Sequence, residues 1–263
     1  MDPELCRSLN NMSLELLASY LRVEPETVNG LYRELLADEK FLGELNEQLQ
    51  RARKFYRKGI CRHEKLDSVD WMSIQRIMLY ILVRLYRPAV CLETGVFYGG
   101  NTSFILNALR RNRHGKLISF DLPGNEIDRK LRHHLVGDSE DVPQGLDTGF
   151  MVHEVLKERW TFIRGDSLTE IPGIDEKIGL YIHDSDHSFN FITTEMNLAW
   201  GKLNDDAIIL ADDVDWSNGF YSFCIQKKIY PLVITDNGKS GLRVRTGIAK
   251  LDHPFRQKKD IVG

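Results

Sequence analysis

Three short apolar runs constrain this chain most: AVCLETG at 89–95, GLYIHD at 179–184 and AIILAD at 207–212, each carrying an acidic residue at or near its end. Runs of Val, Ile and Leu this short, bounded by turn residues, predict strands buried on both faces, as in a parallel sheet. In open parallel sheets ligands gather beyond the carboxyl ends of the strands. Glu93, Asp184, Asp212 and the adjacent Asp213 are therefore expected to converge on one rim.

The rest of the chain fills in around those runs. Residues 1–66 read as helices without strands, LELLASYL and then VNGLYRELLADEKFLGELNEQLQRARKFYR, with apolar positions three and four apart. They predict an N-terminal helical extension, either a lid or a homo-oligomer contact, ahead of a main domain at 67–263. A helix is expected at 69–86 with Ser68 or Asp70 as its N-cap. Strands are then expected at about 89–94, 116–121, 161–164, 178–184 and 207–212, with helices near 101–112, 126–135, 147–158, 188–203 and 218–228. This alternation predicts an α/β, Rossmann-like, doubly wound and mostly parallel sheet, because right-handed crossovers place helices on both faces. The runs YPLVITD at 230–236 and LRVRTGIAKLD at 242–252, joined by NGKSG, read as a hairpin that adds an antiparallel strand. Segment 136–146 has no periodicity and is expected to be a loop beside the rim.

With 35 basic against 38 acidic residues and a net charge of -3, nothing in the bulk electrostatics favours a nucleic acid or an anionic membrane. The apolar stretch at 71–86 contains Gln75, Arg76 and Arg84 and falls short of the about 20 residues that cross a bilayer, so it is read as a core helix. The N-terminus MDPELCRSLN lacks the basic and apolar regions of a secretory signal, and a cytoplasmic location is expected. Cys6, Cys61, Cys91 and Cys224 stand at no disulfide or zinc spacing.

CLETGVFYGGNTSFILNAL at 91–109 reads as strand, glycine-rich turn and helix. Gly95 permits a tight turn or close approach of a ligand, Gly99 and Gly100 ease entry into the helix, and Asn101 is a candidate cap. The spacing is GxxxGG and not the GxGxxG of dinucleotide sites, which disfavours a dehydrogenase. Glu93, two residues before Gly95, suits an ammonium group better than a diphosphate. Asp121 ends the second expected strand, where a carboxylate can accept both hydroxyls of a ribose. Asp166 and Ser167 end the third, where an acid can accept from an adenine amino group.

In this order and spacing the motifs resemble those of class I S-adenosylmethionine-dependent methyltransferases, over roughly 68–252. ETGVFYGG is similar to the family's first motif, FDLP to the second and RGDS to the third, and the terminal hairpin to its reversed seventh strand, which implies a seven-stranded sheet. The resemblance implies S-adenosylmethionine as cofactor. Glu93 and Gly95 would lie near its methionine portion, Asp121 on the ribose, and Asp166 and Ser167 near the adenine, with Gly99, Asn101 and Asp184 as further cofactor-binding residues.

HDSDHSFNFITTE at 183–195 and LADDVDWSNGF at 210–220 supply the other half of the site. Adjacent strands lie ~4.8 Å apart, so Asp184 can share a cation with Asp212 and Asp213. Hard carboxylate oxygens suit Mg²⁺, Mn²⁺ or Ca²⁺ rather than zinc, with Mg²⁺ or Mn²⁺ the expected ion. The constellation resembles metal-dependent O-methyltransferases, both the catechol type and the sugar and secondary-metabolite group that includes macrocin-type and cephalosporin-tailoring enzymes. Where the catechol type has a lysine base and Asp-Asn, this chain has His187 and Asp212-Asp213, departures that move the resemblance toward the second group. It implies O-methylation of a small-molecule hydroxyl acceptor with His187 as the catalytic base, an imidazole near its ordinary pKa of ~6.5.

Plainer readings stand beside these. His187 can cap the following helix, Asp186 can be a helix N-terminal charge and Asp215 a loop residue; His183 is expected beside the sheet end, and Glu195 on a solvent face. Trp216 and Phe220 line either an acceptor pocket or the core. Two rival functions remain: a metal-dependent sugar-nucleotide transferase using Asp184-Ser185-Asp186, and a non-catalytic S-adenosylmethionine-binding module.

Overall fold

The apolar runs form β1 (Val90–Thr94), β2 (Lys116–Asp121), β3 (Trp160–Arg164), β4 (Ile178–His183) and β5 (Leu203–Ala211), and the C-terminal hairpin forms β6 (Ile229–Asn237) and β7 (Arg243–Pro254). The structure is a computed structural model and describes residues 3–56, 72–122, 147–237 and 243–254. All seven strands join in one sheet in the order β3-β2-β1-β4-β5-β7-β6. The first five run parallel, and β7 enters antiparallel between β5 and β6. This is the expected doubly wound, Rossmann-like α/β sheet with its reversed strand.

Register sets the rim. Thr94 lies opposite both Phe120 and His183, and His183 lies opposite Ala211. Gly95, Asp184 and Asp212, each the next residue in its chain segment, therefore leave the sheet side by side, with Asp121 at the end of β2.

Helices cover both faces. The one before β1 is α4 (Ile74–Tyr86), capped by Ser73, whose Oγ accepts from the Arg76 N–H at 3.3 Å. It starts later than the expected 69, and the caps expected at Ser68 and Asp70 lie outside the described residues. After β1 comes α5 (Gly100–Asn112); after β3 comes a short α6 (Ser167–Glu170), too brief to leave a periodic signal in the sequence. Next are α7 (Phe189–Trp200) and α8 (Gly219–Lys227), close to their expected spans. The helix expected at 126–135 and the loop at 136–146 lie outside the described residues.

The helix expected at 147–158 is instead a turn followed by a 3-10 helix, Glu154–Arg159. Gly149, at φ 75°, bends the chain so that its N–H donates to Phe97 O at 2.7 Å, while Met151 N–H donates to Tyr98 O at 2.9 Å. Those bonds to the glycine-rich turn replace the i to i−4 ladder that the periodicity predicts.

The N-terminal helices α1 (Pro3–Leu21), α2 (Pro25–Leu36) and α3 (Glu39–Tyr56) bury their apolar stripes against the main body. Leu14, Leu17, Val28, Leu35, Phe41 and Leu45 share one core with α4, α5 and a face of the sheet. Phe41 meets Phe104 edge to face at 5.1 Å. Glu34 clamps the contact: it accepts from Arg84 Nε at 2.7 Å and Nη2 at 2.9 Å, and from the Tyr80 hydroxyl. At the sheet's far edge Tyr20 donates to Tyr230 O at 2.7 Å and accepts from Lys250 N–H at 2.9 Å. The expected boundary between 66 and 67 lies outside the described residues.

The hydrogen bond from Arg84 holds the Glu34 carboxyl down at about 2. Glu34→Ala is expected to cost ~1.5–3 kcal/mol at neutral pH, the worth of hydrogen bonds to a charged group. Because its pKa is depressed on folding, the carboxylate's contribution is complete above its unfolded value of ~4.3 and is lost as pH falls toward 2. Urea unfolding of both proteins should show the difference shrinking over that range.

Candidate active site

Gly95 sits at φ 83°, and a Cβ there would lie 1.8 Å from the Asp184 carbonyl oxygen. Only glycine lets the chain leaving β1 press against the end of β4 at that angle. Its N–H donates to Phe120 O at 2.9 Å. Asp121 then fastens the turn, one carboxylate oxygen accepting from Val96 N–H at 3.0 Å and Phe97 N–H at 2.8 Å. The turn ends at Gly99, which caps α5 from φ 87°. Asn101 is not the cap: it lies inside the first turn and donates from Nδ2 to Asp184 Oδ2 at 2.7 Å.

Below the turn, Glu93 is fully buried. One oxygen accepts from Thr102 Oγ at 2.8 Å and Ser119 Oγ at 2.7 Å; the other is buried without a hydrogen-bond partner. Burial pushes its carboxyl up to about 7, against the pull of the two hydroxyls.

Asp184, Asp212 and Asp213 follow the ends of β4 and β5. Burial first, then the neighbouring Asp212, Glu93 and Asp213, raise Asp184 well above the carboxylate range. Asp212 is pushed up to about 7 by burial and then by Asp213; Gln75 and Arg76 pull the other way and do not prevail. Its Oδ1 is buried without a partner. Asp213 is raised as well, and holds the left-handed backbone at φ 45°, a conformation costly for a residue with a side chain. Gln75 and Arg76, from the first turn of α4, are site residues the sequence reading passed over as polar interruptions. The Arg76 guanidinium lies against Gly100, where an added Cβ would fall 2.4 Å from its Nη2. An Arg in the first turn of a helix otherwise buried almost all round was the available signal.

His187 stands beside these carboxylates, its Nε2 3.9 Å from Asp213 Oδ2, beyond hydrogen-bonding distance. Its pKa is pushed down to about 4 by burial and then by the neighbouring His183, not left near 6.5 as the sequence reading expected. The ring is therefore neutral at physiological pH. Trp216, 63% exposed, lies 6.2 Å away, whereas Phe220 is fully buried against Gly247 and belongs to the core. Asp186 accepts from Ser188 N–H at 2.7 Å, the helix-terminal role expected of it, and Asp215 lies 3.7 Å from Arg245.

Glu195 corrects the sequence reading outright: it is 0% exposed, not on a solvent face. Its carboxylate accepts from His183 Nδ1 at 2.6 Å, Thr94 Oγ at 2.7 Å, Ser185 Oγ at 2.9 Å, and the hydroxyls of Ser167 and Tyr181. Burial alone would raise it, but His183 and the hydrogen bonds from His183, Ser167 and Tyr181 outweigh that and hold it at about 2. Ser167 thus spends its hydroxyl inward, while Asp166 caps α6 by accepting from Leu168 N–H at 3.0 Å.

The sequence-predicted site residues lie at or just beyond the ends of β1 to β5, except Glu93, which is buried inside β1 beneath the turn. Among the described residues, no group of three or more His, Cys, Asp and Glu side chains is gathered as around a metal ion. What the rim does hold is a surplus of desolvated negative charge. Carboxyls raised on folding take up protons, so stability is expected to fall as pH rises from ~4.3 to 7. Asp212→Asn should flatten that slope in thermal melts across the range.

Residues 92–214 match a family model described as a methyltransferase domain. No curated protein matches the chain. Among solved structures, the O-methyltransferase from Bacillus cereus in complex with SAH superposes with a TM-score of 0.52 at 16% identity, covering 79% of this chain and 90% of that one. The O-methyltransferase TomG from Streptomyces achromogenes, involved in tomaymycin synthesis and in complex with SAM, gives 0.51 at 15% identity, covering 78% and 89%. At such identities the likeness is one of fold. Residues 92–214 are similar to the methyltransferase-domain family, and the seven-stranded sheet that carries them has the fold of these solved O-methyltransferases.

Proposed function

We propose that this chain transfers a methyl group from S-adenosylmethionine to a hydroxyl of a small molecule, in the manner of metal-dependent O-methyltransferases. The observation that carries the reading is the pairing of a neutral His187 with the surplus carboxylates Asp184 and Asp212–Asp213 on the rim of a methyltransferase domain. Bound S-adenosylmethionine would supply an electrophilic methyl group on a sulfonium sulfur. Glu93, Gly95, Gly99, Asn101 and Asp184 would receive its methionine portion, Asp121 its ribose, and Asp166 and Ser167 would border its adenine.

The metal is part of the proposal. Asp184, Asp212 and Asp213 would hold Mg²⁺ or Mn²⁺: hard oxygens fit such an ion, and the orphaned Asp212 oxygen and the mutual repulsion of the three acids favour one. A cation there would lower the pKa of the acceptor hydroxyl. His187 Nε2 takes the hydroxyl proton, and the site's further contribution is to hold the acceptor in line with the donor methyl. The exposed Trp216 beside His187 fits an acceptor with a flat ring or sugar face; a sugar or secondary-metabolite acceptor remains part of the proposal. The rival use of Asp184-Ser185-Asp186 as a diphosphate site has less support, since Asp186 is turned to Ser188 N–H and Asp184 to Asn101.

The first experiment is calorimetric titration with S-adenosylhomocysteine in Mg²⁺ and again in EDTA. Micromolar binding in both buffers is expected, weakened by ~1.5–3 kcal/mol in Asp121→Ala and left within a few-fold in Asp213→Ala. No binding in either buffer would remove the donor assignment.

With an acceptor in hand, the pH profile tests the base. A base must be neutral to accept a proton, so at saturating Mg²⁺, where the metal-holding acids are already ionised, the imidazole limb of kcat/KM should fall at about 4 and not at 6.5. His187→Ala should lose most rate at neutral pH and recover at high pH, where the acceptor ionises unaided. An equal loss at every pH would reassign His187 to positioning.

A further inference from the structure

One small apolar cluster stands apart from the main cores of the molecule. Leu49 of α3 and Met151, 2% and 1% exposed, form it together, with Tyr98 and Phe150 packed against them. Tyr98 belongs to the glycine-rich turn that follows β1, so α3 reaches the rim through this cluster. It arrives along a fixed line, running beside α5 in the opposite direction. Asp38, just ahead of α3, accepts from Asn107 Nδ2 and Arg111 Nη1, both at 3.1 Å, and Phe41 meets Phe104, which brings Leu49 level with the turn before α5. Glu47, two residues before Leu49, lies 3.2 Å from His153 Nε2.

The segment from Gly149 to His153 lies between α3 and the turn, and is tied to the turn along its length. Gly149 N–H donates to Phe97 O at 2.7 Å and Met151 N–H to Tyr98 O at 2.9 Å, while Ser103 Oγ donates to Met151 O at 3.3 Å. A Cβ on Gly99 would fall 2.7 Å from Val152 Cγ2, so turn and segment touch with no room for a methyl group. Phe97 shows the consequence. Its φ of 49° is left-handed, and its backbone is held from both sides: the N–H donates to Asp121 Oδ2 at 2.8 Å, and the carbonyl accepts from Gly149. Such strain persists only where the surroundings over-determine the backbone. One of the two restraints is Asp121; the other is a segment whose far side rests on α3.

We propose that α3 is the support of the donor site, with Leu49 as a positioning residue. Through Met151 and the hydrogen bonds from Gly149 and Met151, it holds the turn after β1 in the form that receives S-adenosylmethionine. Leu49 touches no donor atom and acts only through the turn. Preorganising a binding loop from behind lowers the ordering cost that the ligand would otherwise meet. The proposal deepens the reading of this turn as the donor's and rests on it.

The test uses the full-length protein and S-adenosylhomocysteine, by calorimetry and by amide hydrogen exchange. Leu17, also buried, lies in the main core that the same N-terminal helices share and serves as the control. Leu49→Ala is expected to weaken binding about tenfold, Leu49→Met to restore it, and Leu17→Ala to leave it within about twofold. Equal weakening by both alanine variants, or none by Leu49→Ala, overturns the proposal. By linkage, a support that strengthens donor binding must itself be strengthened by the donor. In the unmutated protein, bound S-adenosylhomocysteine is therefore expected to slow exchange at the Gly149 and Met151 N–H groups and along residues 45–50 of α3. Slowing confined to residues 95–101 overturns the proposal, and this measurement decides if Leu49→Ala does not fold. Absence of binding to the unmutated protein overturns the donor assignment and this proposal together, whereas binding indifferent to Leu49 overturns this one alone.

Discussion

The carboxylate of Glu195, dry and surrounded by five donors, ties together the part of the molecule on which everything else depends. Its partners come from the end of β1, the start of α6, the body of β4 and the turn after it. A buried ion of this kind is stabilising only while its hydrogen bonds are complete. The rim is thereby held in one arrangement: Thr94 cannot shift relative to His183 without breaking it. The contact of Gly95 with the Asp184 carbonyl adds a steric lock at the same level.

On that fixed rim the other acids are left poorly compensated. Glu93 has two hydroxyls on one oxygen and nothing on the other; Asp212 has an orphaned oxygen; Asp184 has the amide of Asn101 and the charge of Arg76, which do not offset its burial. Their upward-shifted pKa values stand against the depressed value of Glu195. The contrast is one of partners, not of burial, since all are desolvated. Well-partnered acids serve structure, and poorly partnered ones are where a ligand's positive charge or a cation has something to gain.

Most of the fold was readable because parallel strands leave a strong local mark: short apolar runs such as AIILA at 207–211 flanked by turn residues. The hairpin of β6 and β7 was readable for the same reason. The 147–158 segment was misread because its periodicity suits a helix, while the hydrogen bonds that decide it run to Phe97 and Tyr98, fifty residues away in the chain. Glu195 was misread because it sits on an amphipathic helix, and its sequence neighbours do not show which side of that helix faces β4.

The sequence by itself determined which residues stand at strand ends, since the period of a buried strand and the turn chemistry after it are local properties. It therefore placed Glu93, Asp121, Asp184, Asp212, Asp213 and His187 on one edge. Tertiary structure alone decided their states. Whether an acid is charged, whether His187 is a surface imidazole or a neutral buried one, and that Arg76 reaches the rim from α4 all depend on desolvation and on partners remote in the chain. Electrostatic free energy is set by distances through the folded interior, and no local pattern of residues encodes those distances.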